Sequence, residues 1–522
     1  MTASLAELLD ANTRRWPERT AVSCGTRALT WTQLEQRAQG VAGAMVDASL
    51  LPQDRLFFVG RNSICYVETL FAAALADLIF VPLNWRLAAG ELAAILADTA
   101  VPFVVVEPEF AGLMTQVASL LRSECTIVQA DLAYSESALR AGAGPTVSER
   151  ALSPVSPDHI AFQLYTSGTT GRPKGAMFAN GTSVATLLER ITVAWDLRED
   201  DVSLTTLPLF HMGGLAWLLT SMAGGAQVVL ADFDAAAVLD ICERDQVTTA
   251  FFVPAMLPPL IAATREWRRE LHIRRLTYSG APIAPNLLIE AMAEFGCDFV
   301  QIYGLTEATG AFAQLDPGDH DPGGPRESLL PSAGRPYPWT ETRVCDPATG
   351  AAVARGKVGE IWTRSAQNMY GYFNRPAETA AAITPEGWLR TGDIGRYDDD
   401  GYLFLLDRLK DVIITGGENV YPVEVENVLA THPRISAVAV VGAPNERWGE
   451  TVVAVVVPAP VRDVADELTA DDVIGFTRER LASFKCPRRV EFVAELPRTA
   501  TGKIRKDLVR EQYWVGHERR IH

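Results

Sequence analysis

The sequence predicts an α/β fold: a large amino-terminal domain of two α/β subdomains plus a small β-rich subdomain, followed by a small α+β domain. Three observations carry this. Helix-period and short apolar runs alternate through the first 300 or so residues, the pattern of parallel sheets with crossover helices. From about residue 334 the texture changes to short strands separated by Gly, Pro and Asp turns. The last ~110 residues carry strand and helix signals of their own, enough for one small domain.

Taken in order, Leu34–Val46 reads as an amphipathic helix. Leu56–Val59 and Val101–Val106 read as buried strands, with a helix over Tyr66–Ala76 between them. Gln227–Leu230, Thr248–Val253 and Arg275–Ser279 are the strands of a second such unit. Asp316–Arg326, rich in Pro and Gly, is expected as an exposed loop. Thr342–Cys345, Gly359–Trp362 and Tyr402–Leu406 form the β-rich part. In the last domain Pro422–Thr431 is a helix with proline in its first turn. Ile435–Val441, Thr451–Val457 and Arg489–Val493 are strands, and Ala470–Ala482 a second helix.

The chain has 522 residues, with 47 Lys and Arg against 64 Asp and Glu, a net charge of −17. That balance argues against a general nucleic-acid or anionic-membrane binder. A polyanionic substrate must then be held by local cations, so the few Lys and Arg inside motifs matter more than the total. The seven cysteines are scattered and form no CxxC pair, which speaks against a zinc site or disulfide framework and fits a reducing cytoplasm. No apolar run reaches the ~18 residues of a membrane span. Glu7, Asp10 and Glu18 argue against a signal peptide.

The densest chemical signal is Tyr165-Thr166-Ser167-Gly168-Thr169-Thr170-Gly171-Arg172-Pro173-Lys174-Gly175. Glycines let backbone N–H groups approach an anion closely. Thr166, Ser167, Thr169 and Thr170 add hydroxyl donors, and Lys174 adds a mobile charge. This is the composition of a polyphosphate cradle. It is not a Walker loop, because Pro173 precedes the lysine and Gly175 follows it. Further along, Gln301-Ile302-Tyr303-Gly304-Leu305-Thr306-Glu307 offers a hydroxyl donor for a phosphate at Thr306 and a hard oxygen ligand for Mg²⁺ at Glu307.

The first segment, together with seven more in fixed order, resembles the adenylate-forming superfamily, specifically its acyl-CoA synthetases. The match runs from the Tyr165 loop nearly to the carboxyl terminus. The resemblance implies an ATP-dependent acid–thiol ligase that makes an acyl-AMP, releases pyrophosphate and passes the acyl group to CoA. It implies ATP and CoA as co-substrates, Mg²⁺ as the metal and a small carboxylic acid as the partner, with no nucleic acid and with a homodimer left open. In Leu207-Pro208-Leu209-Phe210-His211 the histidine would lie beside the substrate carboxylate. Its neighbour is Met212 rather than the aspartate of amino-acid-activating members, so an α-amino acid is not expected. Gly280, Ala281 and Pro282 would form one wall of the adenine slot and Tyr303 the other. Asp393 and Arg408 would grip the ribose.

Lys410 matches the hinge position, which places the domains at 1–406 and 411–522 with a hinge at 407–410 and makes the second domain mobile. Gly416, Gly417 and Glu418 would line the pantetheine tunnel of CoA. Trp448, Phe484, Lys485 and Arg488 are expected near the CoA nucleotide, with Cys486 standing where at least one relative has arginine. Lys503, in Pro497-Arg498-Thr499-Ala500-Thr501-Gly502-Lys503, matches the adenylation lysine, with Thr306, Glu307 and His211 as its catalytic companions. Ser167, Gly168, Thr170, Gly171, Gln301, Gly304 and Leu305 complete the nucleotide contacts, with Thr170 beside the metal. The expected acyl pocket is His211, Gly214, Trp217, Phe252, Val253, Met256 and Gly304, mostly apolar and suited to a hydrophobic acyl or aryl acid. Ordinary core packing is the rival role for Trp217 and Met256. A ligase that delivers its acyl-AMP to a carrier protein is the alternative, and a non-catalytic nucleotide binder a third reading.

Overall fold

The computed structural model describes residues 4–130, 155–166, 173–267, 271–460, 468–499 and 502–515. These residues form a mixed α/β structure with a large amino-terminal domain and a small carboxy-terminal one. Four sheets are present among them. A nine-stranded sheet has a parallel centre of Asp298–Tyr303, Arg275–Tyr278, Thr249–Phe252, Val202–Thr205 and Gln227–Leu230. A seven-stranded sheet is built around parallel Ile160–Thr166, Ile79–Leu83, Arg55–Val59, Phe103–Val106 and Thr126–Gln129.

Helices Trp31–Asp47, Ile64–Leu75 and Met212–Ala223 contribute to the core that both sheets share. Phe58, Phe80 and Phe162 reach it from one sheet, Val228, Phe251 and Val300 from the other. Successive strand residues point to opposite faces. Thus Ala250 and Phe252 enter a separate outer cluster, while Phe251 and Val253 face the shared core. The helices start on local signals. Thr30 and Gln33 close a capping box, and Ser63 and Asp234 accept backbone N–H groups at their helix starts.

In the amino-terminal domain the structure differs from the sequence reading in three places. The two units do not follow chain order: Thr20–Cys24 and Arg27–Thr30 leave the first unit and complete the nine-stranded sheet, with Val22 beside Val228. Nor does the β-rich stretch stand apart. Glu341–Cys345, Gly359–Arg364, Leu389–Tyr397 and Leu403–Arg408 form an antiparallel sheet. However, Arg335–Pro336 edges the nine-stranded sheet and Gly371–Tyr372 edges the seven-stranded one. A proline is tolerated at such an edge because no further strand needs its missing N–H. Asp316–Arg326 is only partly a surface loop. His320 within it is buried, its Nε2 lying 3.0 Å from the Tyr278 hydroxyl.

In the carboxy-terminal domain Ile413–Thr415, Glu418–Val420, Ile435–Asn445, Gly449–Pro458 and Arg489–Phe492 form one sheet. Helices Pro422–Leu429 and Ala470–Arg478 cover one face, and Lys506–Glu511 covers the other. The second helix ends four residues earlier than the sequence pattern implied.

Candidate active site

In an open parallel sheet the crevice beyond the carboxyl ends of the strands is where ligands bind. Four neighbouring strands of the nine-stranded sheet deliver their following residues to that edge. Val202–Thr205 leads to His211, Thr249–Phe252 to Val253, Arg275–Tyr278 to Gly280, and Asp298–Tyr303 to Gly304, Thr306 and Glu307. Sequence segments up to 100 residues apart thus stand in one row.

Two glycines in this row are demanded by geometry. Gly280 has φ +92°, and an added Cβ would meet Val253 Cγ1 at 3.2 Å and Lys503 Cε at 3.9 Å. At Gly304 a Cβ would fall 2.3 Å from the Gly310 carbonyl oxygen. Lys503 therefore reaches from the carboxy-terminal domain to the Gly280 turn, and the neighbouring Gly502 approaches Ala255 in the same way. Crowding by protein lowers the Lys503 pKa from its ordinary value, Arg408 adds to the lowering, and Asp393 opposes it.

Asp393 and Arg408 face each other across an antiparallel pair, with Arg408 Nε 2.9 Å from Asp393 Oδ1. The Tyr303 hydroxyl donates to Asp393 Oδ2 at 2.8 Å, and its ring meets Phe312 edge-on. Asp393 in turn raises the pKa of Arg408, so that cation stays charged. Gln301, beneath this pair, accepts from the Tyr278 hydroxyl at 3.4 Å.

Glu307 belongs to a short 3₁₀ turn, Thr306–Ala308. The Tyr372 hydroxyl donates to its Oε1 at 2.8 Å and the Thr166 hydroxyl at 3.4 Å. Thr166 pairs in register with Lys174, whose Nζ lies 5.3 Å above the Tyr372 ring. Ser167, Gly168, Thr169, Thr170 and Gly171 lie outside the described residues. Glu307, Thr166 and Tyr372 present oxygen donors only, which suits a hard cation such as Mg²⁺. Thr166 and Lys174 beside them offer a hydroxyl donor and a cation to an anionic ligand.

His211 is the N-cap residue of the helix Met212–Ala223. Its Nε2 is buried and has no hydrogen-bond partner. Burial drives its pKa down to about 4, and the nearby charges of Lys503 and Arg86 push the same way. The imidazole is therefore neutral at neutral pH. The other expected acyl-pocket residues divide. Val253 adjoins the Gly280 turn, and Met256 is partly buried against both core clusters. Gly214 is a packing residue, because a Cβ there would sit 2.4 Å from the Pro208 carbonyl oxygen. Trp217 and Phe252 are corrected to the core. Trp217 is 1% exposed, donates to the Leu204 carbonyl at 3.0 Å and packs between Trp195 and Phe251. Phe252, also 1% exposed, points to the outer face of the sheet.

The residues expected around CoA form a second group in the carboxy-terminal domain. Gly416 and Gly417 have φ +61° and +84° and make a two-residue hairpin turn before Glu418. The Trp448 ring lies on Gly416, where a Cβ would come within 2.8 Å of it. Arg447 and Arg488 lie over the same indole at 4.7 and 5.2 Å. Lys485 departs from the expectation: its ammonium is bound by both Glu424 oxygens, at 2.6 and 2.7 Å. Phe484 packs on the domain core, and Cys486 is buried with its thiol toward the Leu481 and Ala482 carbonyls. Lys410 lies in the turn Leu409–Asp411, where its carbonyl accepts from Arg510 at 3.2 Å.

Sequence reasoning passed over Arg86, Gln367 and Tyr372. Tyr372 follows Gly371 in a stretch of turns without periodicity, and Arg86 stands in an ordinary Trp-Arg pair. Only the fold shows what they touch.

Comparison with known proteins shows which family the chain resembles. Residues 9–373 match the family described as AMP-binding enzyme, and residues 424–503 match its C-terminal domain. A fatty acid–[acyl-carrier-protein] ligase, ScoC, from Streptomyces coeruleorubidus is 37% identical, covering 99% of this chain and 98% of that protein. A feruloyl-CoA synthase from an Amycolatopsis species is 38% identical over 96% of this chain and 97% of its own. The crystal structure of ATP-bound MatB from Rhodopseudomonas palustris superposes with a TM-score of 0.84 at 28% identity, covering 98% of this chain and 99% of that one.

Proposed function

Because the chain belongs to the AMP-binding enzyme family, we propose that it is an AMP-forming carboxylate–CoA ligase acting on a hydrophobic acid. The observation that carries the reading is the position of Lys503, held at the Gly280 turn in the same crevice as His211, Asp393 and Arg408. A carboxylate attacks the α-phosphate of ATP there, and pyrophosphate leaves. No enzyme nucleophile is needed; catalysis is positioning and charge stabilisation.

Lys503 offsets the charge that builds between carboxylate and α-phosphate. Thr306 donates to the same phosphate, and Lys174 with Thr166 steers the departing β- and γ-phosphates. Asp393 and Arg408 hold the ribose, and the adenine lies between Tyr303 and the Gly280 turn. Neutral His211 offers an uncharged hydrogen-bonding edge to the acyl carboxylate. Glu307, with Thr166 and Tyr372 at its carboxylate, would hold Mg²⁺, which neutralises phosphate charge when bound. In the second half-reaction the carboxy-terminal domain turns about Lys410, withdrawing Lys503 and bringing the Gly416–Glu418 turn to the thiol.

A second reading keeps the first half-reaction and replaces CoA by a carrier protein. It is favoured by the loss of Lys485 to Glu424 and by buried Cys486, which leave Arg447, Arg488 and Trp448 as the nucleotide handle. Hydroxylamine trapping of acyl-AMP across fatty and aromatic acids, repeated with CoA, separates the two. Thioester with CoA supports the ligase. Hydroxamate without thioester supports carrier-protein transfer, and absence of pyrophosphate release with every acid refutes both.

A further inference from the structure

The turn that carries Thr306 and Glu307 has three backbone hydrogen bonds of its own, from the Ala308 and Gly310 N–H groups to the Leu305 carbonyl and from the Thr309 N–H to the Thr306 carbonyl. It is a single 3₁₀ turn that ends in Thr309, a buried non-glycine residue in the left-handed region at φ +56°. Such a conformation persists only where its surroundings impose it. Among these surroundings one side chain bridges the bend. Gln367 is fully buried and donates from Nε2 to the Ala308 carbonyl at 2.8 Å and to the Ala311 carbonyl at 2.7 Å. Its Oε1 accepts from Trp339 Nε1 at 2.8 Å. Two carbonyls on one end and an indole N–H on the other fix which way the amide points. The Gln367 carbonyl also accepts from the Thr309 hydroxyl. Two residues on, the Met369 N–H donates to the Glu307 carbonyl at 2.8 Å, and Tyr372 then reaches the Glu307 carboxylate.

We propose that Gln367 is a positioning residue for adenylation: its amide clamps both ends of the Ala308–Ala311 bend and so sets where Thr306 and Glu307 face the ATP phosphates and their metal. Gln367 touches no substrate. It acts through a turn whose outer side chains reach the crevice and whose inner residues, Ala308 and Thr309, are buried against it. The clamp comes from the stretch between the β-rich sheet and the Gly371–Tyr372 edge strand, which links the metal side of the crevice to a segment of chain about 60 residues downstream. The inference rests on the adenylation reading above.

The test uses the full-length enzyme, pyrophosphate exchange at varied Mg²⁺, and thioester formation from supplied acyl-AMP. Gln367→Met keeps the length of the side chain and removes both donors. Supporting groups behind a metal site typically cost 10–100-fold in metal affinity or rate when lost. Gln367→Met should therefore raise the half-saturating Mg²⁺ concentration and slow exchange by about 10–100-fold, leaving the KM for the acid and the acyl-AMP-dependent half-reaction close to wild type. Thr309→Gly suits the left-handed backbone and removes the hydroxyl bond to the Gln367 backbone carbonyl together with a buried methyl group; paired with Thr309→Ser, which keeps the hydroxyl, it tests the tie between the Gln367 segment and the turn even if the methionine variant fails to fold. It should shift the Mg²⁺ dependence in the same direction, with Thr309→Ser restoring it. Equal losses in both half-reactions, or slowed exchange at unchanged Mg²⁺ dependence, would overturn the positioning role. Wild-type enzyme without exchange on any acid would instead overturn the adenylation reading itself.

Discussion

Replacing Lys503 by alanine removes one ammonium from the crevice and leaves its loop intact. The loop is held by backbone: Thr499 N–H donates to the Lys503 carbonyl at 2.7 Å and Gly502 N–H to the Thr499 carbonyl at 2.9 Å. Arg498 also bridges to Ile504. The fold should survive. Loss of a preorganised charge at the reacting centre costs about 10²–10³ in rate, or ~2.7–4 kcal/mol of transition-state stabilisation. Pyrophosphate release should fall by that factor while thioester formation from supplied acyl-AMP stays near wild type. A second readout follows from the electrostatics. Burial is the main cause of the depressed His211 pKa, and Lys503 is the next. The variant should raise His211 from about 4 toward its ordinary 6.5 without reaching it, read by NMR titration with His211→Gln to assign the resonance. Equal loss in both half-reactions would refute the division of labour between them. An unmoved His211 titration would refute the placement of Lys503.

Three further outcomes are expected. Lys503 must be protonated to act and its pKa is lowered, so pyrophosphate release should decline as pH rises through a value below the ordinary 10.5, a limb absent from the acyl-AMP-dependent half-reaction. Gly214→Ala forces a methyl group against two backbone carbonyls, at 2.4 and 2.7 Å, and should cost ~1–3 kcal/mol of stability; an unchanged denaturation midpoint would contradict the packing. Lys410→Pro fixes φ in the Leu409–Asp411 turn and should selectively slow thioester formation from acyl-AMP, whereas a wild-type rate there would remove the hinge from the mechanism.

Much of the site was legible because its chemistry is carried by short runs with unusual composition. Gln301–Glu307 and Thr499–Lys503 place hydroxyl, carboxylate and ammonium groups where loops follow strands, and strands were readable from their apolar runs. What stayed hidden depended on tertiary contact. The face of a strand on which Phe252 falls follows from register, not from its type, and Phe252 therefore turned out to be core. Trp217 has the same size and polarity whether it lines a pocket or donates to a buried carbonyl. Tyr372 and Gln367 come from a stretch whose only local signals are turns. The partner of Lys485, Glu424, is 61 residues away, and no spacing rule links them.

The edge of the nine-stranded sheet has a consequence for how the chain is made. Val22 finds its parallel partner only at Val228, roughly 200 residues later, and such long-range pairings are slow to form. At ~5–20 residues per second of synthesis, Ala21 and Val22 wait about 10–40 seconds before the strand that covers them exists. During that interval Arg27–Thr30 can pair with one edge of the strand while the other edge keeps its backbone groups open. The crossover that carries this hairpin into the nine-stranded sheet thus leaves one strand edge open until Gln227–Leu230 has been made.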